Sequence, residues 1–178
     1  TMNQVTIHDR TFEISIHEDE IQRRVKELAL QMDQELNGKD VIFLAILNGA
    51  FMFAADLFKH LTMPAPISFL KMASYTGTTS SGTVKRLIGI NEDIADKTVV
   101  IIEDIVDTGI TLEQIIKQLK GYDPAEIKVA TFLYKPESYQ KDITIDYIGF
   151  SIPPDFIIGY GLDYDGLARN LKHVYKLI

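Results

Sequence analysis

Two short runs constrain this chain more than anything else in it. "VIFLAI" at 41–46 and "TVVIIE" at 98–103 are apolar over at least four consecutive residues, with no polar alternation. A strand of that kind must be covered on both faces, the situation of a parallel sheet with helices above and below it. The intervening segments supply the helices. Ile21, Val25, Leu28, Met32 and Leu36 recur at three- and four-residue spacing and predict one apolar stripe over 18–37, with Gly38 placed to stop it. In "TLEQIIKQLKGYDP", Leu112, Ile115, Ile116 and Leu119 form a second stripe, closed by Gly121. Another helix is expected after the Asn48-Gly49 turn. "PISFLKMASY" (66–75) is extended in character, and "IKVATFLY", "YIGFSI" and "HVYKLI" complete the strand candidates. The alternation predicts an α/β fold: a single domain with a central, mainly parallel sheet flanked by helices.

With 178 residues, 46% hydrophobic and 24% charged, the chain is long enough for one substantial core and has the composition of a globular protein. Its net charge of −7 opposes a broad electrostatic grip on nucleic acid, so no nucleic-acid partner is expected. No membrane partner is expected either. The uncharged stretch 41–55 falls short of the roughly 20 residues of a spanning helix and is broken by Asn48-Gly49. The N-terminal "TMNQVTIHDRTFEI" lacks a basic flank followed by an apolar core, so no signal peptide is read and the expected location is cytoplasmic. The absence of cysteine excludes disulfides, thiolate metal sites and a cysteine nucleophile. His8, His17, His60 and His173 show no metal-binding spacing and are expected to be structural or superficial.

In open α/β sheets ligands bind beyond the carboxyl ends of the strands, and two segments are expected there: Leu47-Asn48-Gly49 and Glu103 to Thr111. In "DTGIT" (107–111) a left-handed Gly109 would let successive backbone N–H groups line a concavity at a helix start, where phosphate is the natural guest. Thr108 and Thr111 add hydroxyls. The segment has neither the lysine and spacing of a Walker A loop nor a GxGxxG pattern. Glu103 and Asp104, when ionised, only accept hydrogen bonds; a ribose diol or a Mg²⁺ ion would satisfy them. A ribose 5-phosphate would serve both ends of the segment. The plainer alternative is an acidic strand end that caps a helix.

Taken whole, "VVIIEDIVDTGITL" (99–112) closely resembles the phosphoribosyl-pyrophosphate motif of the phosphoribosyltransferases. "LNGAFMFAADL" (47–57), "SYTGTTSSGTVK" (74–85), "YKPES" (134–138) and "PDFIIGYGLDYDGLARNLKHVY" (154–175) narrow the resemblance to the hypoxanthine-guanine branch. It covers nearly everything from residue 41 onward. It implies one domain over 1–178, a mobile lid at about 74–85 that starts with Ser74 and Tyr75, and a small purine-binding hood built from about 135–178 with the N-terminal segment. By resemblance Asp107, Thr108, Gly109, Ile110 and Thr111 cradle the 5-phosphate, and Glu103 and Asp104 hold the ribose hydroxyls. Leu47, Asn48 and Gly49 form the pyrophosphate loop, with a cis peptide between the first two, and Arg169 also serves pyrophosphate. Relatives often carry a basic residue where Asn48 stands, and some carry Lys where Ile110 stands.

The resemblance further implies that Asp107 is the acid or base at purine N7. Lys135 donates to the 6-oxo group, Phe156 stacks on the base, and the backbones of Ile157 and Asp163 accept from N1 and any 2-amino group. Mg²⁺ is the implied cofactor, carried in with the diphosphate and met by the side chains of Asp163, Glu103 and Asp104. The implied partners are a 6-oxopurine and phosphoribosyl pyrophosphate, in a homodimer or homotetramer. The expected reaction joins hypoxanthine or guanine to the diphosphate, giving the nucleoside monophosphate and pyrophosphate. A xanthine-preferring transferase and a non-catalytic sensor of the diphosphate are the alternatives.

Overall fold

The computed structural model describes residues 3–76 and 83–178, with side chains described for 3–73 and 86–178. Along the chain lie β1 (Gln4–Ile7), β2 (Arg10–Ile16), α1 (Glu18–Glu35), β3 (Val41–Leu47), α2 (Phe51–His60), β4 (Ile67–Thr76) and β5 (Thr83–Ile88). They are followed by β6 (Thr98–Val106), α3 (Ile110–Lys120), β7 (Glu126–Tyr134), β8 (Tyr147–Ser151), β9 (Ile157–Ile158) and β10 (Val174–Leu177).

The two apolar runs are β3 and β6, neighbours at the centre of a six-stranded sheet of order β5-β4-β3-β6-β7-β8. All its pairings are parallel except β4 with β5. Alternate residues of each central strand feed opposite cores, because successive side chains point to opposite faces. Phe43 and Ala45 of β3, Val100 and Ile102 of β6, and Ala130 and Phe132 of β7 pack with Ile21, Val25, Leu28 and Met32 of α1 and Phe53 and Leu57 of α2. Ile42, Leu44, Ile46, Val99, Ile101 and Val129 turn the other way, onto Leu112, Ile115 and Leu119 of α3. Full burial of such a side chain is worth about 1.5–3 kcal/mol, so one-sided cover of β3 or β6 would forfeit half of this gain.

A second, four-stranded antiparallel sheet has the order β1-β2-β10-β9. It is made from both ends of the chain, the composition expected of the hood. Its core is Phe12, Ile158, Ala168 and Tyr175. His173 joins it to α1: the helix lacks a side-chain cap of its own, and the Glu18 N–H donates to His173 Nδ1 at 2.9 Å.

Some details depart from the sequence reading. The N-terminal hairpin β1-β2 carried no recognised strand signal. The expected lid is partly strand, since β4 continues to Thr76 and β5 begins at Thr83, pairing Ser74 with Lys85 and Tyr75 with Val84. The side chains of Ser74 and Tyr75, and all of 77–82, lie outside the described residues. Gly121 closes α3 with φ −64°, not in the left-handed region; Asp123, at φ 57°, takes that conformation two residues later. Among the described residues no helix is long and apolar enough to cross a membrane.

Candidate active site

The carboxyl end of β6 runs directly into the first turn of α3, and the residues between them wall a cavity of about 250 Å³. Its lining is Glu103, Asp104, Ile105, Val106, Asp107, Thr108, Gly109, Thr111 and Leu112. The cavity thus coincides with the segment read as a ribose-phosphate site. Gly109 has φ 91° and immediately precedes the helix, as the turn requires, and the Ile110 N–H points to Thr108 Oγ1 at 3.4 Å. Ile110 itself is absent from the lining, and its side chain is about half exposed.

The two ends of this wall differ electrostatically. Glu103 is buried, and burial, reinforced by the Asp104 charge, raises its pKa well above the usual carboxylate range. Burial also raises that of Asp104, opposed by the Ile105 N–H donated to its Oδ1 at 2.7 Å and, more weakly, by the positive charge of Arg169. At the other end Asp107 is half exposed, and its Oδ2 lies 3.3 Å from Lys135 Nζ. Lys135, whose side chain is only 11% exposed, is no solvated surface lysine. Its backbone N–H donates to Val106 O, and the Gln140 N–H to Thr108 O, so the segment after β7 is stitched along the turn between β6 and α3.

Leu47-Asn48 is a cis peptide, as the resemblance implied. The loop it opens is wedged between two walls. A Cβ on Gly49 would fall 1.8 Å from Asp104 Oδ2, and a Cβ on Gly161 would fall 2.2 Å from Gly49 O. Only glycine at both positions permits this approach. Gly161, at φ 101°, also exchanges hydrogen bonds with Arg169: its N–H donates to Arg169 O at 2.9 Å, and Arg169 Nη1 donates to its carbonyl at 2.7 Å. Residues 47–49, 104, 161 and 169 thus converge, although they are far apart in sequence.

Arg169 Nη2 also pairs with Asp163 Oδ1 at 3.4 Å, while Asp163 Oδ2 accepts from the Gly166 N–H. Among the described residues no three His, Asp or Glu side chains gather as a metal-ligand group, so Asp163 does not join Glu103 and Asp104 in one cluster. Phe156 is 45% exposed and leans on Phe12 and Tyr164, with ring centroids 6.1 and 5.8 Å away. Ile157 is buried in β9, paired with Lys176.

The sequence reading missed two structural supports of this site. Tyr160, buried and left-handed at φ 48°, donates its hydroxyl to Asp56 Oδ2 at 2.6 Å, tying the Gly159–Gly161 turn to α2. Burial and the Asp56 contact raise its pKa. Tyr139 and Lys141 cover Gly109, where a Cβ would lie 2.6 Å from a Tyr139 ring carbon and 2.8 Å from Lys141 Cγ. The signal for the second was the glycine in "DTGIT", which admits a close neighbour as well as a turn.

The phosphoribosyl transferase domain family matches residues 15–165. The hypoxanthine phosphoribosyltransferase of Buchnera aphidicola is 39% identical over 171 residues, covering 94% of this chain and 97% of that protein. The hypoxanthine-guanine phosphoribosyltransferase of Mycobacterium tuberculosis is 36% identical over 166 residues, covering 89% and 82%. Among solved structures, a hypoxanthine-guanine phosphoribosyltransferase from Bacillus anthracis superposes with a TM-score of 0.82 at 36% identity, covering 93% of this chain and 96% of that one. The hypoxanthine phosphoribosyltransferase of Trypanosoma cruzi gives 0.84 at 32% identity, covering 93% and 94%. With that family match and relatives 36–39% identical over most of their length, this chain belongs to the phosphoribosyltransferase family, in its hypoxanthine and hypoxanthine-guanine branch.

Proposed function

We propose that this protein joins a 6-oxopurine, hypoxanthine or guanine, to 5-phosphoribosyl 1-pyrophosphate, yielding inosine or guanosine monophosphate and pyrophosphate in the cytoplasm. The observation that carries this reading is the Lys135–Asp107 pair, with Nζ 3.3 Å from Oδ2 beside the cavity of β6 and α3. A 6-oxopurine presents an acceptor at O6 next to the protonatable N7. A lysine beside a carboxylate answers both. Adenine offers a 6-amino donor to a lysine that can only donate, leaving buried groups unpaired.

In this reading the N–H groups of 107–111 cradle the 5-phosphate, and Glu103 and Asp104 accept from the ribose hydroxyls. Asp107 exchanges the proton at N7. Phe156 stacks on the base, and the backbones of Ile157 and Asp163 accept from N1 and the 2-amino group. Asn48, Gly49 and Arg169 receive the pyrophosphate, Asn48 through its backbone. Holding base and ribosyl centre in line lowers the entropic part of the barrier.

The donor set here is carboxylate without thiol or imidazole, which fits a hard cation such as Mg²⁺. The raised proton affinity of Glu103 and Asp104 marks a place where positive charge is wanted. Glu103 and Asp104 on one side, and Asp163 separately on the other, would each meet Mg²⁺ arriving with the diphosphate, whose charge it neutralises when bound. For assembly, the apolar patch of Phe51, Phe58, Ile67 and Phe69, with Phe51 and Phe69 largely exposed, is the surface we assign to a homodimer or homotetramer. Light scattering reads that state directly.

The test of the reaction is to incubate the protein with Mg²⁺, the diphosphate and each of hypoxanthine, guanine, xanthine and adenine, following nucleotide by chromatography. Nucleotide from the 6-oxopurines but not from adenine is expected. No nucleotide from any base would overturn the proposal.

A further inference from the structure

The wall of the cavity holds three carboxylates, Glu103, Asp104 and Asp107, and no basic side chain among the described residues. Two of the three have a cation near them: Asp107 is paired with Lys135, and Asp104 feels Arg169. Lys135 stands at the first residue of the turn and Arg169 beside the end of β6. Within that turn Ile110 contributes no charge.

Lys141 is different. Its Cγ lies against Gly109, close enough that a Cβ there would stand 2.8 Å from it, and its Nζ is 3.0 Å from Oε1 of Glu113 in the first turn of α3. The side chain is 26% exposed and that of Glu113 is 53% exposed, so the lysine stem is packed while its partner is open to water. Three bonds separate Cγ from Nζ, so a lysine whose Cγ packs on Gly109 carries its ammonium within reach of the turn. The segment bearing it is fixed there, since the Gln140 N–H donates to Thr108 O at 3.0 Å and the Tyr139 hydroxyl to Ile143 O at 2.6 Å.

Resting on the reading that residues 107–111 receive a 5-phosphate, we infer that Lys141 is a further binding residue for that phosphate, parked on Glu113 until the dianion arrives. A solvent-exposed ion pair such as Lys141–Glu113 is worth little, so exchanging Glu113 for a phosphate at a helix N-terminus is favourable for the ammonium. Lys141 supplies from the segment after β7 the cation that position 110 lacks.

The 5-phosphate is shared by the diphosphate substrate and the nucleotide product, whereas the base and pyrophosphate lack it. In Lys141→Gln, KM for phosphoribosyl pyrophosphate and, in the reverse reaction, for the nucleoside monophosphate should each rise about tenfold, as for loss of a charged hydrogen bond. KM for base and for pyrophosphate should stay unchanged, with kcat near wild type, and Lys141→Arg should recover most of the loss. Unchanged KM for both phosphorylated ligands in the folded variant overturns the inference, as does a uniform rise across all four ligands, which marks a structural role. Calorimetric binding of ribose 5-phosphate gives a second measurement. Glu113→Gln, which frees Lys141, should tighten that binding, and weaker binding overturns the inference. If the wild type makes no nucleotide, the transferase reading fails, and the ribose 5-phosphate titrations still decide the role of Lys141.

Discussion

Replacing Gly161 with alanine should disable this enzyme while leaving most of its stability in place. The added Cβ would stand 2.2 Å from Gly49 O, where real contacts begin near 3.0 Å, so the two loops must part by about 0.8 Å. Alanine also resists φ 101°, a strain of about 1–3 kcal/mol. For a chain of this length each kcal/mol lowers Tm by about 2–4 °C. Displacement of a substrate-positioning loop by about 1 Å costs on the order of 10²-fold in rate. Gly38→Ala separates the two effects, because Gly38 has φ 82° with nothing within 4 Å of its would-be Cβ and stands beyond the end of α1. Thermal melts and steady-state assays of both variants make the comparison. Both should lose several degrees, and only Gly161→Ala should lose about two orders of magnitude in kcat/KM for the diphosphate. A Gly161→Ala protein with the melting loss of Gly38→Ala but wild-type kcat/KM would show that the close approach of the two loops has no part in catalysis.

Asp107→Asn removes the proton acceptor but keeps the size of the side chain, and kcat should fall about 10²-fold or more; near-normal turnover excludes proton transfer at N7 by this group. Phe156→Ala should raise KM for the base about tenfold or more, the order of one lost aromatic stack, with a small change in Tm because the ring is already 45% exposed. Steady-state kinetics and one melting curve check both halves of that prediction. The Glu103 prediction concerns pH. Its folded pKa lies above the ordinary 4.5, so between those two values the folded protein keeps a proton that the unfolded chain has released. This makes the Glu103 contribution to unliganded stability fall as pH rises through that window. Glu103→Gln should flatten this decline in melts from about pH 5 to about pH 8, raise Tm at the upper end and weaken diphosphate binding; an unchanged pH slope contradicts the assigned burial.

The parts of the fold legible in the sequence were those with a strong local period. The unbroken apolar runs of β3 and β6 could only be central strands, and the stripes of α1 and α3 left little choice of face. The hairpin of β1 and β2 escaped because β1 is short, neither strand is an unbroken apolar run, and their cover comes from Tyr175 and Ile158 at the other end of the chain. The turn before α3 was readable because the sequence that makes the left-handed Gly109 is contiguous. The contact of Gly161 with Gly49, 112 residues apart in sequence numbering, and the Lys135–Asp107 pair were not readable from composition or spacing. They are products of the parallel crossovers that bring the carboxyl ends of β3, β6 and β7 side by side; resemblance pointed to Gly49, Lys135 and Asp107, and nothing pointed to Gly161. Lys141 had no signal of its own, since what marks it is the space that Gly109 leaves.

The seating of β10 between β2 and β9 imposes an order of events on a chain made from its N-terminus. The six-stranded sheet has all its strands once residue 151 is available, whereas the far edge of β2 has no neighbour until residues 174–177 emerge. During that interval β2 presents an open strand edge, the feature most prone to pairing with another chain. The nascent protein can thus assemble its six-stranded sheet first, and closes its four-stranded sheet only when β10 is zipped in between β2 and β9.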